Sequence, residues 1–432
     1  MNVDALAALW QEVTGEPLPP VTFTGDEHVL PGRYRVAHAA AVCVAATTLA
    51  ADAGSKVHIG HAAEAFRSER HLRPPADLWT PLSGDYRTAD GWVRLHANYP
   101  HHAAAILRAL GVPEDGVRAE AARRRAVDVE ESVLAEGGAA AAMRTREEWL
   151  TDGPGAAIRT EPLVAIERID ETGQRDSVVG AQRPANGPGP AALAGVRVLD
   201  LTHVIAGPVG GRALAAHGAD VLHVGAAHLP VLEQLVLDTG FGKRSCHLDL
   251  RAEPDRLRAL VSGADVFLQS YRPGALAAKG FGARDLAAMR PGIVVVELAA
   301  YGHTGPWRDR RGFDSLVQMS CGIAAGDPPA PLPVQALDHA TGWLAAFGTI
   351  AALRRRATEG GSWRVRLSLA RTAEWLHDLG RRDDVPVREV DVRPFLDETD
   401  SDFGRLTHLR VPGARIRPAG PRRPGRDPAE WW

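Results

Sequence analysis

Lysine is nearly missing from this 432-residue chain: Lys56, Lys243 and Lys279 are its only three. Arginine carries almost all of the basic charge and alanine is abundant, a bias that follows a GC-rich genome rather than a function. Cysteine is equally scarce. Cys43, Cys246 and Cys321 make an odd set with no CxxC spacing, which argues against a disulfide framework or a cysteine zinc site. Charge of one sign is lacking too: the formal net charge is -3, so nothing recruits a polyanion and no nucleic-acid partner is expected. Gly, His, Arg or Asp interrupts every apolar stretch, and Met1-Asn2-Val3-Asp4 lacks a basic leader; no membrane partner is expected and the location expected is cytoplasmic.

Several catalytic signatures are also missing. No G-x-x-x-x-G-K-[ST] loop, G-x-G-x-x-G turn, G-x-S-x-G elbow or H-E-x-x-H helix occurs, so the common modes of nucleotide binding, serine hydrolysis and zinc proteolysis are unsupported. His58 with His61, and His96 with His101-His102, have no carboxylate at ligand spacing. Neither a metal nor a redox cofactor is expected.

What is present is an alternation of apolar runs and helical patterns. Strand-like segments at Val196–Leu201, Asp220–Val224, Ser245–Leu250, Asp265–Leu268 and Ile293–Leu298 alternate with helices at Gly210–His217, Pro254–Ser262 and Ala283–Met289. Continuous apolar strands separated by helices imply a parallel sheet covered on both faces. The expectation is a doubly wound α/β domain over 191–380 that binds ligands at the carboxyl ends of its strands. Before it, residues 1–170 form an N-terminal half and 171–190 a Gly/Pro linker; residues 381–432 make a polar, arginine-rich extension expected to be solvated and partly mobile.

Three places could carry chemistry. The turn Thr202 to Gly211 ends a strand and opens a helix, where free backbone amides can receive an anion. The turn Gln269 to Leu276 offers Tyr271 for stacking and Arg272 for a phosphate, and Lys243-Arg244 is either phosphate-binding or plain exposed charge. Asp338 stands before an apolar helix, a favoured position for an N-cap. A carboxylate there could also be a nucleophile, with amides of the glycine-rich stretch Ser320 to Asp327 receiving the oxyanion. A similar helix-and-strand segment begins near Arg35, with Ala37 where the second copy has Asp338.

The motif series is Leu193-Ala194-Gly195-Val196-Arg197-Val198-Leu199-Asp200-Leu201, Ala206-Gly207-Pro208, His217-Gly218-Ala219-Asp220, Gly242-Lys243-Arg244-Ser245, Tyr271-Arg272-Pro273-Gly274, Gly302-His303-Thr304-Gly305-Pro306 and Gly312-Phe313-Asp314. In this order it resembles the family III CoA-transferases, a group that includes acyl-CoA racemases. The segment Pro81 to Val93 resembles the start of that family's small domain, which normally follows the α/β part and here precedes it.

The resemblance implies a Rossmann-like CoA-binding domain with a smaller α+β domain, coenzyme A as substrate, and Asp338 as the nucleophile passing CoA from an acyl-CoA to a carboxylic acid. It places Val204, Ile205, Ala206, Ser270, Tyr271, Arg272, Ala275 and Tyr301, with Lys243 and Arg244, at the CoA site. It also implies an interlocked homodimer. Two departures stand out. Gly225-Ala226-Ala227 replaces an acidic and polar run, and Phe313 stands where the racemases have a histidine. A racemase or isomerase, and a non-catalytic CoA-binding paralogue, are the competing readings. The order of segments implies a partial duplication whose N-terminal copy has lost the nucleophile.

Overall fold

A computed structural model of the chain describes residues 3–52, 56–73, 79–151, 154–170, 191–382 and 385–431; the expected linker at 171–190 lies outside these. The large sheet has seven strands: β1 (Ala165–Asp170), β2 (Arg197–Leu201), β3 (Asp220–Gly225), β4 (Lys243–His247), β5 (Val266–Gln269), β6 (Val294–Ala299) and β7 (Ser362–Ser368). Their spatial order is β1-β7-β6-β5-β2-β3-β4. The chain builds outward from β2 through β3 to β4, then returns to the other side of β2 for β5, β6 and β7. This reversal opens a crevice between the carboxyl ends of β2 and β5. Leu201 pairs with Gln269 there, Gln269 with Glu297, and Leu298 with Leu367, so four neighbouring parallel strands end at one level.

The sheet is mixed, because β1 runs antiparallel to β7. That edge strand comes from the N-terminal half, so the sheet does not respect the expected division of the chain at 171–190.

Helix α1 (Val36–Ala50) packs beside α4 (Ala336–Glu359), and α2 (Ala206–Ala216) covers another side of α4. All fifteen residues of α1 are buried, and the Thr47 hydroxyl donates to the Trp343 carbonyl at 2.9 Å. A helix apolar on every face must be enclosed on every face. The small domain has an antiparallel sheet of Gly84–Arg87, Trp92–Leu95 and Ala140–Ala142. It packs on α3 (Asp314–Ser320), with His96 stacked flat on Phe313 at 3.8 Å between ring centres.

The C-terminal extension departs from the expectation of a mobile tail. It forms a hairpin, Leu396–Ser401 with Gly404–Leu409, and then returns to the sheet, where the Asp427 amide donates to the Ser245 carbonyl at 2.8 Å and the Trp431 indole to the Leu260 carbonyl at 2.8 Å. Its arginines spend their charge on local carboxylates, among them Arg422 with Asp427 and Arg405 with Glu398. Composition reports such internal pairing poorly.

The α2–α4 crossing depends on Gly342. A Cβ at this position would collide with the Ala206 carbonyl oxygen and stand 2.8 Å from Val209 Cβ. Gly342→Ala is therefore expected to destabilise the fold by about 1–3 kcal/mol, the usual cost of overpacking, read as a lower denaturant midpoint with an unchanged slope; an unaltered midpoint contradicts the close crossing.

Candidate active site

The turn between β2 and α2 is built by buried charge. Lys243 Nζ donates to Asp200 Oδ2 and to the Pro208 carbonyl, both at 2.8 Å, while Asp200 Oδ1 accepts from the Thr202 amide at 3.0 Å and its hydroxyl at 2.5 Å. These bonds hold the chain as it leaves the sheet. Val204 then adopts φ of +71°, a left-handed conformation that is costly for a β-branched residue and persists only where its surroundings impose it. The His203 amide donates to Ser270 Oγ at 3.3 Å and its Nε2 lies 3.2 Å from the Tyr271 hydroxyl, tying the β2 turn to the β5 turn.

Asp338 is the third residue of α4, not its cap. Gln335 occupies the cap position and its side chain makes no capping bond. The service comes from α3: Asp314 Oδ2 accepts the Asp338 backbone amide at 2.8 Å, and Asp314 Oδ1 accepts from Gln318 Nε2 at 2.5 Å. This leaves the Asp338 carboxyl free to face the cleft. Burial pushes it well above the ordinary aspartate value, and the neighbouring Asp314 pushes it further. Asp314 is itself raised by burial, to about 6, against the lowering effect of the hydrogen bonds it accepts. Two carboxyls enclosed together do not readily both ionise.

The cleft holds about 380 Å³ and is lined by His203, Val204 and Ala206; Ser270, Tyr271, Arg272, Pro273 and Ala275; Leu298 to Ala300; Arg310 to Phe313; Asp338; and Leu369. These groups come from the carboxyl ends of β2, β5, β6 and β7, from the approach to α3, and from the first turns of α2 and α4. Seven of the sequence-selected residues thus meet: Val204, Ala206, Ser270, Tyr271, Arg272, Ala275 and Asp338. A smaller cavity of about 80 Å³ adjoins at His203 and Val204, lined also by His223, Gly225, Lys243, Arg244, His247 and Arg422.

Four expected contacts lie elsewhere. Ile205 is buried in the core. Tyr301 is 1% exposed, its hydroxyl 3.0 Å from Ser320 Oγ, and does not line the cleft. Lys243 and Arg244 border the smaller cavity, but both are buried and paired, Arg244 with Asp220 at 3.0 Å and with the Glu430 carbonyl at 2.9 Å. The stretch Ser320 to Asp327 is not in the cleft lining either. Its Gly322 fits closely against the backbone of Thr145 and Arg146, and the Ala324 and Ala325 amides donate to Gln318 and Gly322 carbonyls, so the oxyanion role expected of it fails. His203, Arg310, Arg311 and Asp314 were not selected; the Gly312-Phe313-Asp314 motif was the signal for the last three. The pocket beside Ala37, in the N-terminal helix α1, holds only about 20 Å³.

The sequence profile of CoA-transferase family III matches residues 33–191 and 193–380. An acyl-CoA transferase of Gibberella moniliformis is 30% identical over 321 residues, covering 66% of this chain and 54% of that protein. A probable fatty acyl-CoA transferase of Mycobacterium tuberculosis is 34% identical over 188 residues, 39% of this chain and 48% of that one. The solved orthorhombic structure of the latter superposes with a TM-score of 0.42 at 33% identity, covering 44% of this chain and 58% of that chain. An acetyl-coenzyme A transferase of Hypoxylon pulicicidum is 35% identical over 221 residues. The chain spans 37% to 54% of the length of these curated relatives.

The buried carboxyl has a cost that pH reveals. With its affinity for a proton raised, folded Asp338 keeps the proton at pH values where the unfolded chain has lost it. Stability therefore falls as pH rises above about 4, the unfolded carboxylate value. Asp338→Asn is expected to melt at a higher temperature than wild type at pH 8, the gap closing towards pH 4; a variant less stable at pH 8 contradicts the raised carboxyl.

Proposed function

Because this chain belongs to CoA-transferase family III, we propose that it moves coenzyme A from an acyl-CoA thioester to a carboxylic acid, with Asp338 as the nucleophile. The observation that carries the reading is the position of the Asp338 carboxyl: it lines a cleft at the switch point of the sheet, its own backbone held by Asp314 rather than by itself.

An Asp338 oxygen attacks the thioester carbonyl; the new C–O bond forms as the C–S bond breaks, giving a mixed anhydride and CoA thiolate. The thiolate attacks the aspartyl carbonyl and expels the donor acid as its carboxylate, leaving an aspartyl-CoA thioester. The acceptor carboxylate attacks that thioester, releasing thiolate again, and the thiolate then attacks the acceptor carbonyl of the second anhydride. The products are the acceptor's CoA thioester and regenerated Asp338. Each step exchanges one anion for another, so no proton must be stored by a general base once Asp338 is ionised. Its place in the first turn of α4 favours that ionised form, opposing burial. Phe313 supplies no second base, which leaves two-base racemisation unsupported.

The arm of CoA fits along Val204, Ala206, Ser270 and Ala275, with its anionic half near Arg272. An interlocked homodimer and a cytoplasmic location belong to the same reading, and light scattering in solution tests the first.

Purified protein incubated with acetyl-CoA, succinyl-CoA or a fatty acyl-CoA and a panel of acids is expected to form new CoA thioesters. Asp338→Ala is expected to reduce the rate by a factor on the order of a thousand or more, as loss of a nucleophile does. Undiminished exchange by this variant would remove Asp338 from the reaction.

A further inference from the structure

The cleft carries three guanidinium groups, and their commitments differ. Arg310 is spent: it lies 2.8 Å from Glu130 and stacks over Trp307 at 3.8 Å. Arg272 and Arg311 have no carboxylate partner among the described residues, and Arg311 donates one hydrogen bond, to the Gly137 carbonyl. Arg272 belongs to the turn after β5, whereas Arg311 belongs to the approach to α3 beside Phe313. Burial, and then the charge of Arg272, make the Arg311 guanidinium less favourable as a cation than usual. Two like charges kept in one cleft without counter-charge form a receptor for anions.

The reacting acid has a difficulty that this arrangement resolves. Its carboxylate must approach a second anion, Asp338, and must itself remain nucleophilic. A carboxylate forked onto a guanidinium has its lone pairs engaged, so the group held by Arg311 should not be the group that reacts. The same cleft presents Leu298, Phe313 and Leu369, an apolar surface suited to a short methylene chain. We propose that Arg311 binds a second, non-reacting carboxylate of the acceptor, so that the preferred acceptors are short dicarboxylic acids. This rests on the transferase reading above, and it assigns Arg311 a specificity role rather than a part in bond exchange.

The test compares glutarate with butyrate, acids of similar chain that differ by one terminal carboxylate, using the full chain and acetyl-CoA, a donor with no second carboxylate. Three quantities are read: enzyme thioester formed without acceptor, KM for acetyl-CoA, and KM for each acid. Wild type is expected to prefer glutarate. Arg311→Gln should raise KM for glutarate by a factor on the order of ten to a hundred, leaving butyrate, the donor KM and thioester formation unchanged, and Arg311→Lys should restore part of the loss. Calorimetry should show the same weakening of glutarate binding. A rise in the donor KM instead would assign Arg311 to CoA and overturn the proposal, as would equal use of the two acids by wild type or no effect of the substitution. Enzyme thioester formed without glutarate preference defeats this proposal alone; absence of any enzyme thioester in wild type defeats the transferase reading as well.

Discussion

One hydrogen bond organises the centre of this molecule: the Asp338 amide donating to Asp314 Oδ2 at 2.8 Å. The first turn of a helix needs acceptors for its amides, and the residue that ordinarily supplies one is the cap, three residues earlier at Gln335, whose side chain makes no such bond. Asp314 takes that duty from another helix. Its carboxylate joins α3 to α4, and the Asp338 side chain is left to the cleft. The arrangement puts two carboxyls together in a buried place, which raises both. A carboxyl so enclosed is poorly solvated, and a poorly solvated anion is the more reactive one once it ionises.

The rest of the fold holds α4 where that bond requires it. Next to Asp338, His339 is 1% exposed with its Nε2 3.7 Å from Glu69 Oε2. Further along, Trp343 accepts from Thr47 and Phe347 stacks on Trp10 at 5.6 Å. Glu69, Thr47 and Trp10 all belong to the N-terminal half. Its helix α1 also carries a buried histidine, His38 beside Glu27, preceded by Ala37 as His339 is preceded by Asp338. The N-terminal helix α1 thus supports α4, and the small domain holds the opposite wall through His96 on Phe313.

Much of this was legible. The parallel strands announced themselves as apolar runs, because a strand covered on both faces has no polar side to show, and their boundaries fall within a few residues of those expected. The β2 and β5 turns were legible from small residues between a strand and a helix. Other features were hidden for definite reasons. The edge strand β1 contains Glu167, Arg168 and Asp170 and is only half-buried, so it lacks the apolar signal of its neighbours. Lys243 and Arg244 looked like ligand-seeking charge because their partners, Asp200 and Asp220, lie 43 and 24 residues away. The fixed order of the extension depends on Asp427 and Trp431 reaching Ser245 and Leu260, contacts across more than 170 residues of chain. Local spacing alone made Asp338 a helix cap, and only its place after the motif series pointed to chemistry; the structure puts Gln335 at the cap and gives the Asp338 amide to Asp314.

The central claim is that Asp338 becomes covalently bound to CoA. Mixing the protein with succinyl-CoA in the absence of an acceptor, trapping with hydroxylamine and sequencing the peptides by mass spectrometry measures this directly. The account predicts a hydroxamate on the peptide containing Asp338, and none in Asp338→Ala; a hydroxamate on another carboxylate, or one that survives in Asp338→Ala, would contradict it.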